Sequence, residues 1–346
     1  MISVLIKKKD IDIFLKKLKE EYTVYGVKQK ETGFYIFDEI ETFSDPLDNY
    51  IPTLLPPKKY LFPQRETLLS FSTAPYPEVK PVIESKKQVI FGVRPCDIHG
   101  IKLLDKVFTA DREDKNYTQK RANTIIIGID CMKPCYKYAY CESVGCLDVE
   151  EGFDILLTDI GDCFYASIGT AQGEAIIREN ACFTHAGKYE EEKICRMKEE
   201  RKGRFEKKFL TDVSNLPSLF KNADNDPVWD ELNDRCLGCG RCNIVCPTCY
   251  CFDVFDCVDL TMTSGERRRQ WDACTLKDFS VVATGENFRP TRGQRLRHRF
   301  NRKFNYLMTK HSTSFCVGCG RCSRSCPVHI DVAETVNAVI NNNKQK

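Results

Sequence analysis

The chain has 346 residues, 42% of them hydrophobic and 29% charged, with a formal net charge of +3, enough for two or three domains with real cores. No apolar run approaches the eighteen or more uncharged residues of a membrane span, and the charge is too mild to imply nucleic acid or a membrane surface by itself. The opening Met-Ile-Ser-Val-Leu-Ile-Lys-Lys-Lys has its few apolar residues ahead of its charges, unlike a secretory signal, so the expected location is the cytosol. Twenty cysteines then point to metal or redox chemistry, because disulfides are rare in reduced compartments.

In chain order, Asp10 is a plausible N-cap for an amphipathic helix carrying Ile11, Phe14, Leu15 and Leu18. Strand-like stretches follow at Tyr22 to Val27 and Phe34 to Phe37, then a proline-rich segment, residues 55–63, expected to run largely extended. Val89 to Val93 reads as a buried strand, residues 98–108 as a helix capped by Asp97, and Thr124 to Ile129 as a second buried strand. Parallel strands joined by a right-handed helical crossover end on one edge of the sheet, where open α/β folds place ligands. Cys96 and Cys131 follow those two strands by three and two residues and are expected to face one crevice. Cys135 and Cys141 lie in a loop short enough to fold back over it, which makes Cys96, Cys131, Cys135 and Cys141 a candidate 4Fe-4S ligand set. Phe153 to Thr158 and Cys163 to Ile168 read as a hairpin. Residues 187–208 hold fifteen charged residues in twenty-two and read as a solvated helix or linker.

The strongest signal comes next. Residues 236–247 read CLGCGRCNIVCP and residues 316–327 read CVGCGRCSRSCP, identical at eight of twelve positions. C-x2-C-x2-C-x3-C-P is the bacterial ferredoxin run, in which three thiolates grip one cube and the fourth reaches the other. Two copies imply two clusters: Cys236, Cys239, Cys242 and Cys326 on one, and Cys316, Cys319, Cys322 and Cys246 on the other. Structural zinc needs only four ligands, and a third cysteine at the next x2 step plus Cys-Pro, twice, is better explained by iron and sulfide. The seventy residues between the runs are expected to form helices around the clusters, with a good pattern at Gln294 to Met308. Residues 266–303 carry eleven Lys or Arg against four acids, read as compensation for anionic cubes or a face for an acidic electron partner rather than a nucleic-acid surface.

These residues resemble an iron-sulfur subunit family shared by cytosolic sulfhydrogenases, where it forms the beta subunit, and by anaerobic sulfite reductases. The likeness spans nearly the whole chain and rests on Pro56-Pro-Lys-Lys-Tyr-Leu-Phe-Pro-Gln-Arg-Glu66, Arg94-Pro-Cys-Asp97, residues 236–252, Gly265 to Cys274 and the second ferredoxin run. It implies an electron-transfer subunit connecting a flavin/NAD(P)H subunit with a catalytic subunit, either a nickel-iron hydrogenase or a sirohaem sulfite reductase. The family usually carries Cys-Phe-Cys before Ser-Met-Gly, whereas this chain has Ala139-Tyr140-Cys141 before Ser143-Val144-Gly145, so Cys135 or Cys146 stands in for the missing ligand. Cys249, Cys251 and Cys274 fall where the family also places cysteine, three thiols whose fourth partner is Cys257 if they hold a cluster. Cys146, Cys163, Cys182, Cys195 and Cys257 otherwise read as free thiols.

No G-x-G-x-x-G opens a helix after a strand and no P-loop is present, so neither FAD nor NAD is expected on this chain. The five histidines show no catalytic spacing. The expected architecture is an α/β domain over residues 1–186, a charged helical linker over 187–215, and a mainly α-helical ferredoxin-like dicluster domain over 216–346. The expected role is electron transfer without membrane or nucleic-acid partners; a self-contained oxidoreductase for a small substrate and a nucleic-acid-binding iron-sulfur protein are the alternatives.

Overall fold

The computed structural model describes residues 3–43 and 50–344. The chain opens with β1 (Ser3–Lys7), α1 (Ile11–Leu18), β2 (Thr23–Glu31), β3 (Phe34–Glu39), β4 (Arg65–Ser72) and β5 (Glu78–Pro81). A crossover unit follows, β6 (Gln88–Val93), α2 (Pro95–Phe108), α3 (Lys115–Ala122) and β7 (Thr124–Ile129), and then β8 (Ile155–Asp159), β9 (Cys163–Ile168), α4 (Ala171–Arg178) and β10 (Phe183–His185). The rest comprises α5 (Lys188–Arg201), α6 (Leu216–Lys221), α7 (Val228–Arg235), α8 (Arg241–Ile244), β11 (Phe252–Val258), β12 (Ser264–Trp271), α9 (Arg292–Asn301), α10 (Leu307–His311), α11 (Arg321–Ser325) and α12 (Val332–Lys344).

Eight strands form one sheet in the order β10-β1-β9-β8-β7-β6-β2-β3. Its centre, β8-β7-β6-β2, is parallel and its flanks are antiparallel. Every residue of β6 and β7 is buried, as continuous apolar runs require when both faces are covered. The N-terminal part is thus the mixed α/β unit that the sequence implies, with the β8–β9 hairpin where expected.

Three local expectations change. Asp10 precedes α1 but makes no side-chain cap. Asp97 is not the cap of α2: the helix begins at Pro95, whose missing N–H costs nothing at a first helical position, and Arg94 precedes it in extended backbone. Residues 55–63 are not extended throughout, since Pro57–Tyr60 close a 3-10 turn that carries Lys58 into the interior.

The stretch between the ferredoxin runs contains the expected helices, as α9 and α10 joined by a π turn at Arg302–Tyr306, and also a hairpin. That hairpin, β11–β12, pairs with β4 and β5 of the N-terminal part in a four-stranded sheet ordered β11-β12-β4-β5. Alternation fails as a signal there, because Gly265-Glu-Arg-Arg-Arg-Gln presents no apolar face and Arg269 is buried against Glu66 and Asp114. The largest apolar core likewise draws on both parts, joining Cys131, Tyr140, Cys141 and Val144 to Phe220, Phe300, Phe304, Val317 and Val336. Among the described residues, no helix is long and apolar enough to cross a membrane.

Candidate iron-sulfur centres

The two ferredoxin runs have the same local build. Gly238 and Gly240 in the first, and Gly318 and Gly320 in the second, all lie at φ between +64° and +75°, a conformation that glycine adopts without strain. Each second glycine opens a short helix, α8 or α11, and a Cys-Pro pair follows. The result is two neighbouring cavities. One, with about 520 Å³ of space free of atoms, is lined by Cys236, Cys239, Cys242 and Cys326, with Cys322 also at its wall. The other, about 360 Å³, is lined by Cys246, Cys316, Cys319 and Cys322. The fourth cysteine of each run thus stands at the cavity of the other run, as the ferredoxin rule requires. Among the described residues, no three His, Cys, Asp or Glu side chains close on one ion-sized point; the thiols line the walls of the two cavities.

The walls suit an anionic guest. Buried Arg299 lines both cavities, and its Nε has no hydrogen-bond partner. Lys303, also buried, reaches the Thr248 hydroxyl at 2.5 Å beside the second cavity. Burial opposes the charge of Lys303, and the nearby Cys246 and Cys249 outweigh it, so its pKa lies above the ordinary value. Burial pushes the Cys316 thiol up to about 11 and the Cys242 thiol to about 12, so metal ligation there releases protons.

The second run is held by the N-terminal part. Arg321, two residues past Cys319, donates through Nη1 and Nη2 to the two carboxylate oxygens of Asp97 at 2.6 and 2.7 Å and through Nε to the Thr53 carbonyl at 2.8 Å. Both side chains are at most 2% exposed. The loop preceding Cys141 lies directly on the run: Tyr140 N–H donates to the Gly318 carbonyl at 2.8 Å, the Tyr136 hydroxyl to the Cys319 carbonyl at 2.5 Å, and the Tyr140 hydroxyl meets Cys316 Sγ at 3.1 Å. A Cβ on Gly320 would stand 2.3 Å from the Tyr138 carbonyl oxygen, and one on Gly318 2.5 Å from the Cys141 backbone.

Cys96, Cys131 and Cys141 lie in one buried core beside this junction, with Cys135 packed against it. β6 and β7 are parallel neighbours, so Cys96 in the first turn of α2 and Cys131 just past β7 share one sheet edge. Arg94 donates to Cys131 Sγ at 3.1 Å. Burial, opposed by Arg94 and reinforced by Cys131, raises the Cys135 thiol to about 11; burial also raises Cys141, with Cys131 and Cys135 the nearest contributing charges. Cys146 is buried beyond them, with its thiol 3.5 Å from the Val144 carbonyl.

Cys249, Cys251 and Cys274 also converge, around a third cavity of about 290 Å³. Cys257 does not join them. It lies in the hairpin strand β11 opposite Glu266, six residues beyond Cys251, a rise of about 20 Å in extended chain.

Several supporting residues carry no sequence motif of their own. Lys58 donates to the Cys249 carbonyl at 2.6 Å and lies 4.2 Å from the centre of the Trp271 ring. Arg201, in the charged helix α5 that reads as solvated, is buried and paired with Asp130 at 3.0 Å and with Asp148. Such positions are legible only as Arg or Lys standing beside a cysteine motif or at the end of a polar helix. Four of the arginines of the basic stretch have partners within the chain: Arg267 pairs with Asp256, Arg268 with Glu266, Arg269 with Glu66 and Asp114, and Arg295 donates to the carbonyls of Thr275, Arg289 and Pro290.

An α/β unit clamped onto a doubled ferredoxin run defines an iron-sulfur protein of the electron-transfer type, and residues 235–330 match the family described as "4Fe-4S dicluster domain". The whole chain is similar to the sulfhydrogenase 2 subunit beta of Pyrococcus furiosus, 36% identical over 327 residues that cover 94% of this chain and 95% of the relative. The chain belongs to the sulfhydrogenase beta-subunit family. No solved structure matches it.

Proposed function

We propose that this chain is the electron relay of a multisubunit oxidoreductase, passing electrons between a flavin/NAD(P)H partner and a catalytic subunit. The observation that carries the reading is the exchange of fourth cysteines between two adjacent cavities that share Arg299 and Cys322. In this reading Cys236, Cys239, Cys242 and Cys326 hold one 4Fe-4S cluster, and Cys316, Cys319, Cys322 and Cys246 hold the second. When bound, the clusters supply one-electron transfer at potentials set by burial, hydrogen bonds to sulfur and local charge. The chain's own part is to hold the two sites side by side, exclude water with Leu296, Phe300 and Phe304, and compensate negative charge with Arg299 and Lys303. Cys96, Cys131, Cys135 and Cys141 form a third station, placed against the second run by the Tyr136–Cys141 loop. The likeness to a sulfhydrogenase subunit supports a hydrogenase as the catalytic partner over a sulfite reductase. Nicotinamide and flavin belong to another chain, and the free thiols suit a cytosolic setting.

The test uses the isolated chain, loaded anaerobically. It is expected to accept electrons from a low-potential donor while neither oxidising NAD(P)H, nor evolving hydrogen, nor reducing sulfite. Any of these activities in the pure chain overturns the relay reading in favour of a self-contained oxidoreductase.

A further inference from the structure

The cavity at Cys249, Cys251 and Cys274 adjoins the ferredoxin cavities, sharing Arg299 with both and Lys303 with the second, and is built by a different device. β11 and β12 are antiparallel, and beyond their last pair, Phe252 with Trp271, the Asp272 N–H donates to the Cys251 carbonyl at 2.9 Å. The hairpin base therefore holds Cys251 close to Cys274. Cys249, three residues past Cys246, is brought to the same space by the turn after Cys-Pro. Asn243 Nδ2 donates to Cys274 Sγ at 3.1 Å and approaches Cys249 Sγ at 3.7 Å, the N–H to sulfur contacts that tune thiolate ligands.

The opposite wall is cationic. Arg299, Arg302 and Lys303, at helical spacing along α9 and the π turn, all line the cavity. Their hydrogen-bond partners are neutral: the Cys242 carbonyl for Arg299, the Tyr250 hydroxyl for Arg302 and the Thr248 hydroxyl for Lys303. Arg299 and Lys303 are buried, and Arg299 Nε is unpartnered. A wall of cations facing neutral groups and thiols favours an anionic occupant. Arg299 and Lys303 also serve the ferredoxin cavities, but Arg302 lines only this one among the three. Among the described residues, no fourth cysteine lines the cavity.

We propose that Cys249, Cys251 and Cys274 bind an additional 4Fe-4S cluster through three thiolates, leaving its fourth iron without a cysteine ligand on the side of Arg302 and free to take a small anion. The proposal rests on the reading of the chain as an iron-sulfur protein and adds to it a site for an exogenous ligand. A relay cluster needs four fixed ligands, whereas three thiolates beside three cations suit a centre that binds a thiolate, hydrosulfide or cyanide.

The test uses full-length protein loaded with iron and sulfide, compared with Cys251→Ser, Cys274→Ser and the double variant. The double variant is expected to lose about four irons per chain while keeping the paramagnetic signals that Cys236→Ser and Cys316→Ser abolish. Cyanide added to the reduced wild type is expected to shift one further signal and to leave the double variant unchanged. Retention of the wild-type iron content by the double variant, with those two signals intact, overturns the proposal, as does a wild-type spectrum that cyanide leaves unchanged. If the double variant fails to fold, the cyanide response of the wild type and the iron content of the single variants decide. Absence of the Cys236- and Cys316-dependent signals from the wild type itself defeats the relay reading instead, so the two failures are distinct.

Discussion

At the scale of single residues, one contact that joins the two parts of the chain is Arg321 with Asp97, a bidentate pair with neither partner exposed. Breaking such a pair by removing one partner leaves a buried charge alone and costs about 3–5 kcal/mol, whereas replacing both with apolar groups is often near neutral. Asp97→Ala is therefore expected to destabilise the folded chain by about that amount, and Asp97→Leu combined with Arg321→Met to recover much of the loss, as read from urea midpoints in a double-mutant cycle. An Asp97→Ala variant as stable as the wild type would remove the pair from this role. The glycines of the second run make the same point sterically. Gly320→Ala adds a Cβ 2.3 Å from a backbone oxygen at φ +66°, while Gly240→Ala meets only side chains, at 3.2 Å and beyond, at φ +75°. Both substitutions strain the backbone, but Gly320→Ala is expected to lower the thermal midpoint further, since a carbonyl cannot rotate away as Leu276 can.

At the scale of elements, what was legible follows from how local each signal is. The parallel strands β6 and β7, the hairpin β8–β9 and the two ferredoxin runs are set by short-range patterns, and each appears where the residues imply. Asp97 as a helix cap and residues 55–63 as an extended loop failed for one reason: both segments are shaped by a distant buried partner, Arg321 for Asp97 and the Cys249 carbonyl for Lys58. The hairpin β11–β12 was hidden similarly, because Arg269 is buried against Glu66 and Asp114 and Arg267 pairs across the strands with Asp256. The proposed exchange of fourth cysteines follows from the Cys-Pro spacing and can be tested directly. Cys246→Ser is expected to alter the same paramagnetic signal as Cys316→Ser, and a different one from Cys236→Ser; if Cys246→Ser and Cys236→Ser give matching spectra, the exchange is wrong. The π turn at Arg302–Tyr306 has no sequence signature, yet it places Lys303 against two cavities at once, in keeping with the frequency of π turns at functional sites.

At the scale of the whole molecule, the two parts share one core, so the N-terminal thiols are best tested in the intact chain. A fragment ending near residue 185 would expose Tyr140, Val144 and Cys141, which pack on Phe209, Phe304 and Val317, and would lose Arg201, whose partners Asp130 and Asp148 flank the Cys131 loop. Its failure to bind iron would report unfolding as readily as missing ligands. In the full-length protein, Cys131→Ser with Cys141→Ser removes two of the four thiols and leaves the ferredoxin cavities lined as before. This double variant is expected to lose about four irons per chain, to keep the signals that depend on Cys236 and Cys316, and to slow electron transfer through the proposed relay. Cys146→Ser serves as the control: if Cys135 is the fourth ligand, it leaves the iron content unchanged, and Cys135→Ser reduces it. Unchanged iron in the Cys131→Ser, Cys141→Ser variant would make these cysteines packing residues of the junction, with the Arg94 to Cys131 contact holding the loop and no third station in the relay.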